Sequence, residues 1–313
     1  MKSNYLKDIF FLIISITLLL ISFYNSINTL TYIFDGGHHG SILLNALDII
    51  NNKIPYKEIF LQYGFLNAFI NSFFLNLFDH DILAIYISTS LFYFVSILLI
   101  GLISREFDNY YALIFSIVIC IFNHPIPEYP WPNYSAFFFM TLSIYFFDIA
   151  NVKKLFLSSF FIALSCLARE NFYYFILPTF LFTNILLFLY TKNKIKIFFF
   201  VTGFFIPILT FLIYLSLNDI FLNWLDFQRI PFVYLDSYEV SIFSLIKNFI
   251  LFFLTEVPFN LGTTPQYFVI LIILIFNIYV LLEELFFKQK KNIKIIYISS
   301  LCISSIIVSI NLE

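Results

Sequence analysis

Long apolar runs with few charges constrain this chain more than any other feature. Residues 9–33 and 82–103 contain no charged side chain, and a helix needs roughly 20 apolar residues to cross the hydrocarbon of a bilayer. Divided at its charges, the chain contains nine candidate spans: 9–33, 82–103, 110–122, 134–150, 155–168, 171–190, 195–217, 266–287 and 293–311. These runs predict an all-α polytopic membrane protein with about nine transmembrane helices.

The composition excludes several other classes of protein. Of the 313 residues, 61% are hydrophobic and only 12% are charged, whereas a soluble domain carries about a quarter charged residues. The 17 basic and 19 acidic residues give a formal net charge of -2, so there is no basic excess for a nucleic-acid partner. The three cysteines lie in apolar runs, without the spacing of metal ligands or of a disulfide framework. We therefore expect one transmembrane domain over residues 1–313.

The basic residues predict an orientation, because cytoplasmic loops carry an excess of Lys and Arg. A cytoplasmic N-terminus leaves most of them inside: Lys2, Lys7, Arg105, Lys153, Lys154, Lys192, Lys194, Lys196, Lys288, Lys290, Lys291 and Lys294. It also makes residues 35–81 a first outer loop and 241–254 an outer interfacial or re-entrant helix. The first run lacks a small-residue cleavage site, so we expect a retained signal anchor. The expected location is the inner membrane of a bacterium.

The first outer loop holds most of the candidate functional residues. It begins at Asp35, where the first span is expected to reach water, and continues into a histidine pair among glycines. The segments 41–50 and 65–78 have helical patterns but are interrupted by polar residues and are short for spans. Each has a polar side, so we predict two helices that lie in the membrane interface. Between them, residues 55–64 have the sequence PYKEIFLQYG.

Four features follow one another along the chain. They are the acidic residue after the first span, the string at 55–64 between two interfacial helices, a span ending in Ser-Arg-Glu at 104–106, and Ala-Arg-Glu-Asn at 168–171. In this order they resemble the GT-C superfamily of integral-membrane glycosyltransferases, such as protein O-mannosyltransferases and lipid A aminoarabinose transferases. The likeness covers residues 1–217. It implies transfer of a sugar from a polyprenyl-phosphate carrier on the outer membrane face. Many relatives carry a second acidic residue where this chain has Gly36, and many extend further, so we expect a short member, a truncated gene product or an inactive relative.

Sugar transfer from a lipid phosphate to a hydroxyl needs a base, a cation for the departing phosphate and an apolar groove for the isoprenoid. We expect Asp35 to be the catalytic base. Arg169 is expected to bind the phosphate, since a guanidinium matches phosphate oxygens in a fork. Further expected contacts to the substrates are Glu170, His38, His39, Lys57, Glu58, Tyr56, Gln62 and Tyr63. The acceptor expected from the resemblance is a lipid, a glycan or a protein.

The same residues admit structural interpretations. Asp35 can simply end a span at the water boundary, and the tyrosines can be interfacial anchors. Asp35, His38 and His39 together could hold a divalent cation, although adjacent histidines point in different directions; no other cofactor is implied. Two other functions stay open, a lipid or small-solute transporter or flippase and a non-catalytic membrane relative. A transporter would predict inverted repeats, and none is visible.

Overall fold

The computed structural model describes residues 37–61, 64–104, 130–228, 265–288 and 292–312, and a few helical positions between 9 and 24. The predicted span at 110–122 and the segment 241–254 lie outside the described residues, as does most of the first span. Among the described residues, all regular secondary structure is helical.

The described residues form nine main α-helices, which we number in chain order. They are α1 (His38–Ile50), α2 (Phe65–Leu77), α3 (Leu83–Ser104), α4 (Pro132–Phe146), α5 (Val152–Ala168), α6 (Tyr173–Thr191), α7 (Lys194–Leu217), α8 (Pro265–Leu282) and α9 (Ile293–Leu312). A 3₁₀ turn at Glu170–Phe172 joins α5 to α6, and a π-helical turn at Glu283–Phe287 ends α8. Residues 221–228 are also helical. The two helices predicted in the first outer loop are thus present as α1 and α2.

Within the part of the chain that the structure describes, three helices are long and apolar enough to cross a membrane: Leu83–Ile103, Tyr173–Thr191 and Lys194–Leu217. Along α7, Phe198 is 63% exposed and Ile213 is 57% exposed. Soluble proteins rarely expose continuous apolar surface, and lipid is the natural solvent for it. The predicted spans at 134–150 and 155–168 contain helices of 15 and 17 residues. The larger count of nine spans is therefore not established by the described helices.

The helix α5 lies at the centre of the bundle, against α4, α7 and α2. Small residues allow α5 and α7 to approach closely. A Cβ atom at Gly203 of α7 would lie 2.2 Å from the Ser159 Oγ and 2.4 Å from the Phe156 carbonyl oxygen of α5. Close backbone approach of this kind is a main source of helix association in lipid, where apolar side chains gain little by leaving the solvent.

Three helices begin at one end of the bundle with the same local signal. The side chains of Asn151, Asn193 and Asn292 each accept hydrogen bonds from the backbone N–H groups two and three residues further on. Asparagine is a favoured helix N-cap because it satisfies donors that have no partner within the helix. These caps begin α5, α7 and α9.

Side-chain contacts place these helix starts together. The Tyr297 hydroxyl of α9 lies 2.8 Å from the Ser143 Oγ of α4, and Ser143 lies 3.2 Å from Ser158 of α5. The Phe147 ring stacks on Tyr297 and meets Phe200 of α7 edge-on. The sequence predicted that one set of lysines is cytoplasmic. Most of those that the structure describes are close in sequence to these three asparagine caps. The segment Arg169–Glu170 therefore lies at the opposite end of α5 from them.

Candidate functional site

The segment between α1 and α2 folds into a tight turn that points Tyr56 inward. The Tyr56 N–H donates to the Ile59 carbonyl at 3.0 Å, and the Glu58 N–H donates to the Ile54 carbonyl at 2.9 Å. The Glu58 carboxylate accepts a further bond from the Ile54 N–H at 2.7 Å. Tyr56 has a φ of 63° and is only 2% exposed, whereas Lys57 is exposed. The turn thus separates an inward tyrosine from an outward Lys-Glu pair.

Tyr56 reaches the turn between α5 and α6. Its hydroxyl donates to the Glu170 Oε1 at 2.5 Å, and the Gln228 Nε2 donates to the Glu170 Oε2 at 2.5 Å. Both carboxylate oxygens are therefore occupied, each by a side chain from a different segment. The carboxylate of Glu170 joins the 55–61 turn, the end of α5 and the helical segment 221–228. We call Tyr56, Glu170 and Gln228 the Glu170 cluster.

Burial controls the protonation of this cluster. Burial raises the pKa of the Glu170 carboxyl above its ordinary value, and the hydrogen bonds from Tyr56 and Gln228 oppose part of that rise. The pKa of Tyr56 is raised well above its usual value, first by burial and then by the neighbouring Glu170. Tyr56 therefore acts as a hydrogen-bond donor and not as an anion at physiological pH.

Gly64 presses the same loop against the end of α5. Its φ is 88°, and a Cβ atom there would lie 2.2 Å from the Ala168 carbonyl oxygen and 3.2 Å from the Arg169 Cα. Only glycine adopts this conformation without strain and leaves this space empty. The string at 55–64 and the Ala-Arg-Glu segment at 168–170 are thus in direct backbone contact. The sequence singled out both segments but did not predict that they meet.

Arg169 is the helix C-cap of α5 and is half-buried. Its backbone N–H donates to the Ser165 carbonyl at 3.2 Å. Its guanidinium carbon lies 6.0 Å from the centre of the Phe172 ring, at the limit of a cation–π contact. The backbone geometry at Gly64 therefore also sets the position from which the Arg169 side chain projects.

Aromatic side chains surround Tyr56. Its ring stacks on Phe65 of α2 at 6.3 Å between centroids and meets Phe211 of α7 and Phe227 edge-on, at 6.4 Å and 5.6 Å. The Asn223 Nδ2 also donates to the Tyr56 carbonyl at 3.1 Å. The segment 221–228 thus supplies three contacts to the site, of which Gln228 and Asn223 are polar. No residue pattern in the sequence distinguished these two side chains.

Of the two histidines that were expected to contact the substrates, the structure describes the side chain of His39 but not that of His38. His39 is 2% exposed, and its Nδ1 lies 3.2 Å from the Tyr86 hydroxyl of α3, with the two rings edge-on. It therefore forms a contact between α1 and α3. His38 begins α1, but its side chain lies outside the described part of the chain, as do Asp35, Gln62 and Tyr63. The described residues contain no group of three or more His, Cys, Asp or Glu side chains placed for a metal ion, and the cation alternative involving Asp35 is not tested by them.

Three asparagines on α1 and α2 are buried against neighbouring helices, and their burial leaves the prediction that the two helices lie in the membrane interface untested. Asn45 is 8% exposed, Asn67 is 6% exposed and Asn71 is 3% exposed. A pocket lies between the two helices and the loop that joins them, lined by Ile42, Asn45, Leu61, Gly64, Asn67, Ala68 and Asn71. We call it the asparagine pocket. Because Gly64 belongs to its lining, the pocket shares a wall with the backbone contact to Arg169.

Comparison with known proteins adds no assignment. No protein-family model matches the chain, and no curated protein or solved structure matches it either.

Proposed function

We propose that this chain is a GT-C-type membrane glycosyltransferase that moves a sugar from a polyprenyl-phosphate carrier to an acceptor hydroxyl. In this proposal the chain has about nine spans, a cytoplasmic N-terminus and its active site on the outer face of a bacterial inner membrane. One observation supports it above the others. Two of the four segments that carry the resemblance, 55–64 and 168–171, pack together through Gly64 on Ala168 and through Tyr56 on Glu170.

The proposed reaction is a single displacement. Asp35 accepts the proton of the acceptor hydroxyl, whose oxygen bonds to the anomeric carbon of the sugar. The bond between that carbon and the carrier phosphate oxygen breaks, and its electron pair leaves with the phosphate. Arg169 stabilises the phosphate by charge-assisted hydrogen bonds. A phosphate leaves readily, so no second carboxylic acid is required.

Glu170 has a different proposed role from Asp35. Both of its oxygens accept bonds, from Tyr56 and Gln228, so it is poorly placed to receive a proton from an acceptor. It acts as a positioning residue that holds the loop and the end of α5 together around Arg169. Lys57 and Glu58 are exposed in the turn that contains Tyr56. In the proposal, Lys57 attracts the anionic carrier from this position.

Mass spectrometry of lipids that co-purify with the protein tests this proposal. Wild type is compared with Asp35→Asn and Arg169→Ala, and with two controls, Asp79→Asn and Lys192→Ala, which remove exposed charges elsewhere. We expect a polyprenyl phosphate or its sugar conjugate with wild type and both controls. It should persist or accumulate with Asp35→Asn and be lost with Arg169→Ala. Bulk phospholipid alone in all five folded proteins would overturn the proposal and direct attention to transport assays.

The orientation has its own test. In a cysteine-free background, Lys53→Cys and Lys154→Cys each place one thiol at an exposed position, at opposite ends of the bundle. A membrane-impermeant thiol reagent should label the first in intact cells and the second only after permeabilisation. The reverse pattern would place Arg169 on the cytoplasmic side and exclude an outer lipid-linked donor.

A further inference from the structure

In the part of the chain that the structure describes, three lysines at the starts of α5 and α7 have no acidic partner. Lys153 follows the asparagine cap of α5, and Lys194 and Lys196 follow the cap of α7. The neighbouring Lys154, in contrast, lies 3.3 Å from Asp148. Lys153 and Lys194 are exposed, and Lys196 is half-buried. We call Lys153, Lys194 and Lys196 the lysine patch, a concentration of unpaired positive charge.

The packing of α5 against α7 brings the lysine patch to one level of the bundle. Both helices begin at the end where the asparagine caps lie, so they run in the same direction. Gly203 of α7 packs on Ser159 of α5. Lys196 precedes Gly203 by seven residues, and Lys153 precedes Ser159 by six. At a rise of about 1.5 Å per residue, these separations are about 10 Å and about 9 Å along the two helices. The charges of both helix starts are therefore at a similar depth.

A stripe of exposed apolar side chains begins directly beside Lys194. Residues three or four apart share a face of a helix, so Phe198 lies next to Lys194 on the same face of α7. Ile195, Phe198 and Phe205 are 61%, 63% and 45% exposed, and their spacing of three and seven residues keeps them on one face. Residues 195–205 span about 15 Å, which is half of a hydrocarbon core of about 30 Å. The stripe therefore runs the depth of one membrane leaflet.

A ligand that fits both features must be anionic at one end and apolar along one leaflet. An acidic soluble protein would meet the lysines but leave the stripe uncovered, whereas an anionic phospholipid covers both. The Asn193 side chain already accepts bonds from the Ile195 and Lys196 N–H groups, at 3.0 Å and 3.4 Å, so the ammonium groups and not the backbone supply the positive charge. An ammonium is a point charge without the planar fork of a guanidinium. The patch should therefore select for charge more than for headgroup shape.

We propose that the lysine patch and the apolar stripe of α7 form a binding site for an anionic phospholipid. The phosphate lies on Lys194 and Lys196, Lys153 adds its charge from α5, and one acyl chain lies along residues 195–205. In the predicted orientation the site lies in the cytoplasmic leaflet, where anionic lipids attract basic residues at the ends of spans. The site is at the opposite end of the bundle from Arg169, so it does not depend on the proposed function.

Native mass spectrometry of the full chain, delipidated in detergent, tests the proposal. The probes are dioleoyl phosphatidylglycerol, which is anionic, dioleoyl phosphatidylcholine, which has no net charge, and glycerol phosphate, which has the phosphate but no acyl chain. We expect phosphatidylglycerol to bind at least about fivefold more tightly than phosphatidylcholine, the preference that one basic residue near an anionic lipid surface provides. Equal binding of the two lipids would overturn the proposal. Binding of glycerol phosphate as tightly as phosphatidylglycerol would also overturn it, because the site would then recognise a free phosphate.

Two triple variants separate charge from structure. Replacement of all three patch lysines by glutamine should remove most of the preference for phosphatidylglycerol, whereas replacement of all three by arginine should keep it. Lys53→Gln, at the opposite end of the bundle, should keep it as well. Thermal unfolding in detergent shows whether each variant is folded. A wild-type preference in the folded glutamine variant, or an equal loss in the arginine variant or in Lys53→Gln, is incompatible with the proposal.

A photoreactive acyl chain locates the lipid in the wild-type chain and needs no variant. Phosphatidylglycerol with a diazirine in one acyl chain should crosslink within residues 195–205. Unlabelled phosphatidylglycerol should compete with this labelling at least about fivefold more efficiently than phosphatidylcholine does. Labelling spread evenly over the exposed apolar residues of α3, α6 and α7 would mean ordinary solvation by lipid, and the proposal would then be wrong.

Discussion

Substitution of Gly64 by alanine tests the central packing contact of the structure. The added Cβ would lie 2.2 Å from the Ala168 carbonyl oxygen and 2.7 Å from the Ala168 carbonyl carbon. Both are backbone atoms of α5, the central helix, so neither can move aside as a flexible side chain would. The loop must instead lift away from α5, which separates Tyr56 from Glu170.

The expected cost has two parts. A residue with a Cβ in the left-handed region costs about 1–2 kcal/mol, and Gly64 has a φ of 88°. Overpacking against fixed atoms typically costs about 1–3 kcal/mol. Together they predict a loss of about 2–5 kcal/mol of unfolding free energy, or detachment of the loop at a similar cost.

Gly40→Ala is the matched control, because a Cβ at Gly40 meets nothing within 4 Å and the residue lies in α1. Alanine there should be neutral or stabilise by up to about 1 kcal/mol. Unfolding in mixed micelles measures the global effect, and the rate of tryptic cleavage at the exposed residues Lys53 and Lys57 measures loop detachment. If Gly64→Ala matches Gly40→Ala in both assays, the contact between the loop and α5 is wrong.

Three further predictions concern the cluster, a helix cap and the close helix crossing. Burial raises the pKa of Glu170. At pH values between the ordinary and the raised pKa, this carboxyl is therefore protonated more often in the folded state than in the unfolded state. Stability should therefore fall as the pH rises through that interval, and Glu170→Gln, which cannot ionise, should remove this dependence; unfolding measured across pH checks it. Asn151→Ala should lose about 0.5–2 kcal/mol of stability, because the cap of α5 accepts bonds from two backbone N–H groups; denaturant titration measures it. Gly203→Ala should destabilise α5 against α7 by about 1–3 kcal/mol, because the new Cβ would lie 2.4 Å from the Phe156 carbonyl oxygen, and thermal inactivation should be faster.

Controls separate these effects from general damage. Glu58→Gln removes an exposed carboxylate from the turn that contains Tyr56, so the pH slope assigned to Glu170 should persist in it. Asn51→Ala changes an exposed asparagine at the end of α1 and should have little effect compared with Asn151→Ala. In Gly203→Ala, a second change of Ser159 to alanine should recover only part of the loss, because the Phe156 carbonyl remains. Full recovery would mean that the side chain alone sets the α5–α7 distance.

Much of the secondary structure follows from local patterns. The apolar runs predicted three long helices that the structure contains, and the polar interruptions at 41–50 and 65–78 predicted α1 and α2. Helices in a membrane satisfy their own backbone groups, so length and hydropathy are enough to locate them. The asparagine caps of α5, α7 and α9 also depend only on neighbouring residues, although they were not predicted from the sequence.

Only the tertiary structure shows whether the polar side chains of those helices are buried or exposed. Asn45, Asn67 and Asn71 interrupt apolar runs, and the sequence predicted interfacial helices there without indicating what covers their polar sides. In the structure these asparagines are buried between α1 and α2 and beside α4. A polar stripe on a helix is equally compatible with water and with a polar interior, because periodicity reports which residues share a face and not what covers that face.

The sequence by itself determined a helical chain with spans of membrane length, an uneven distribution of lysines and a short set of chemically distinctive residues. Each of these properties depends on residues that are neighbours along the chain. Only the tertiary structure decided that Tyr56 bonds Glu170, that Gln228 completes the cluster, and that Gly64 brings the loop onto Arg169. Tyr56 and Glu170 are 114 positions apart. A contact over that distance arises from how whole helices pack, which no local periodicity or propensity encodes.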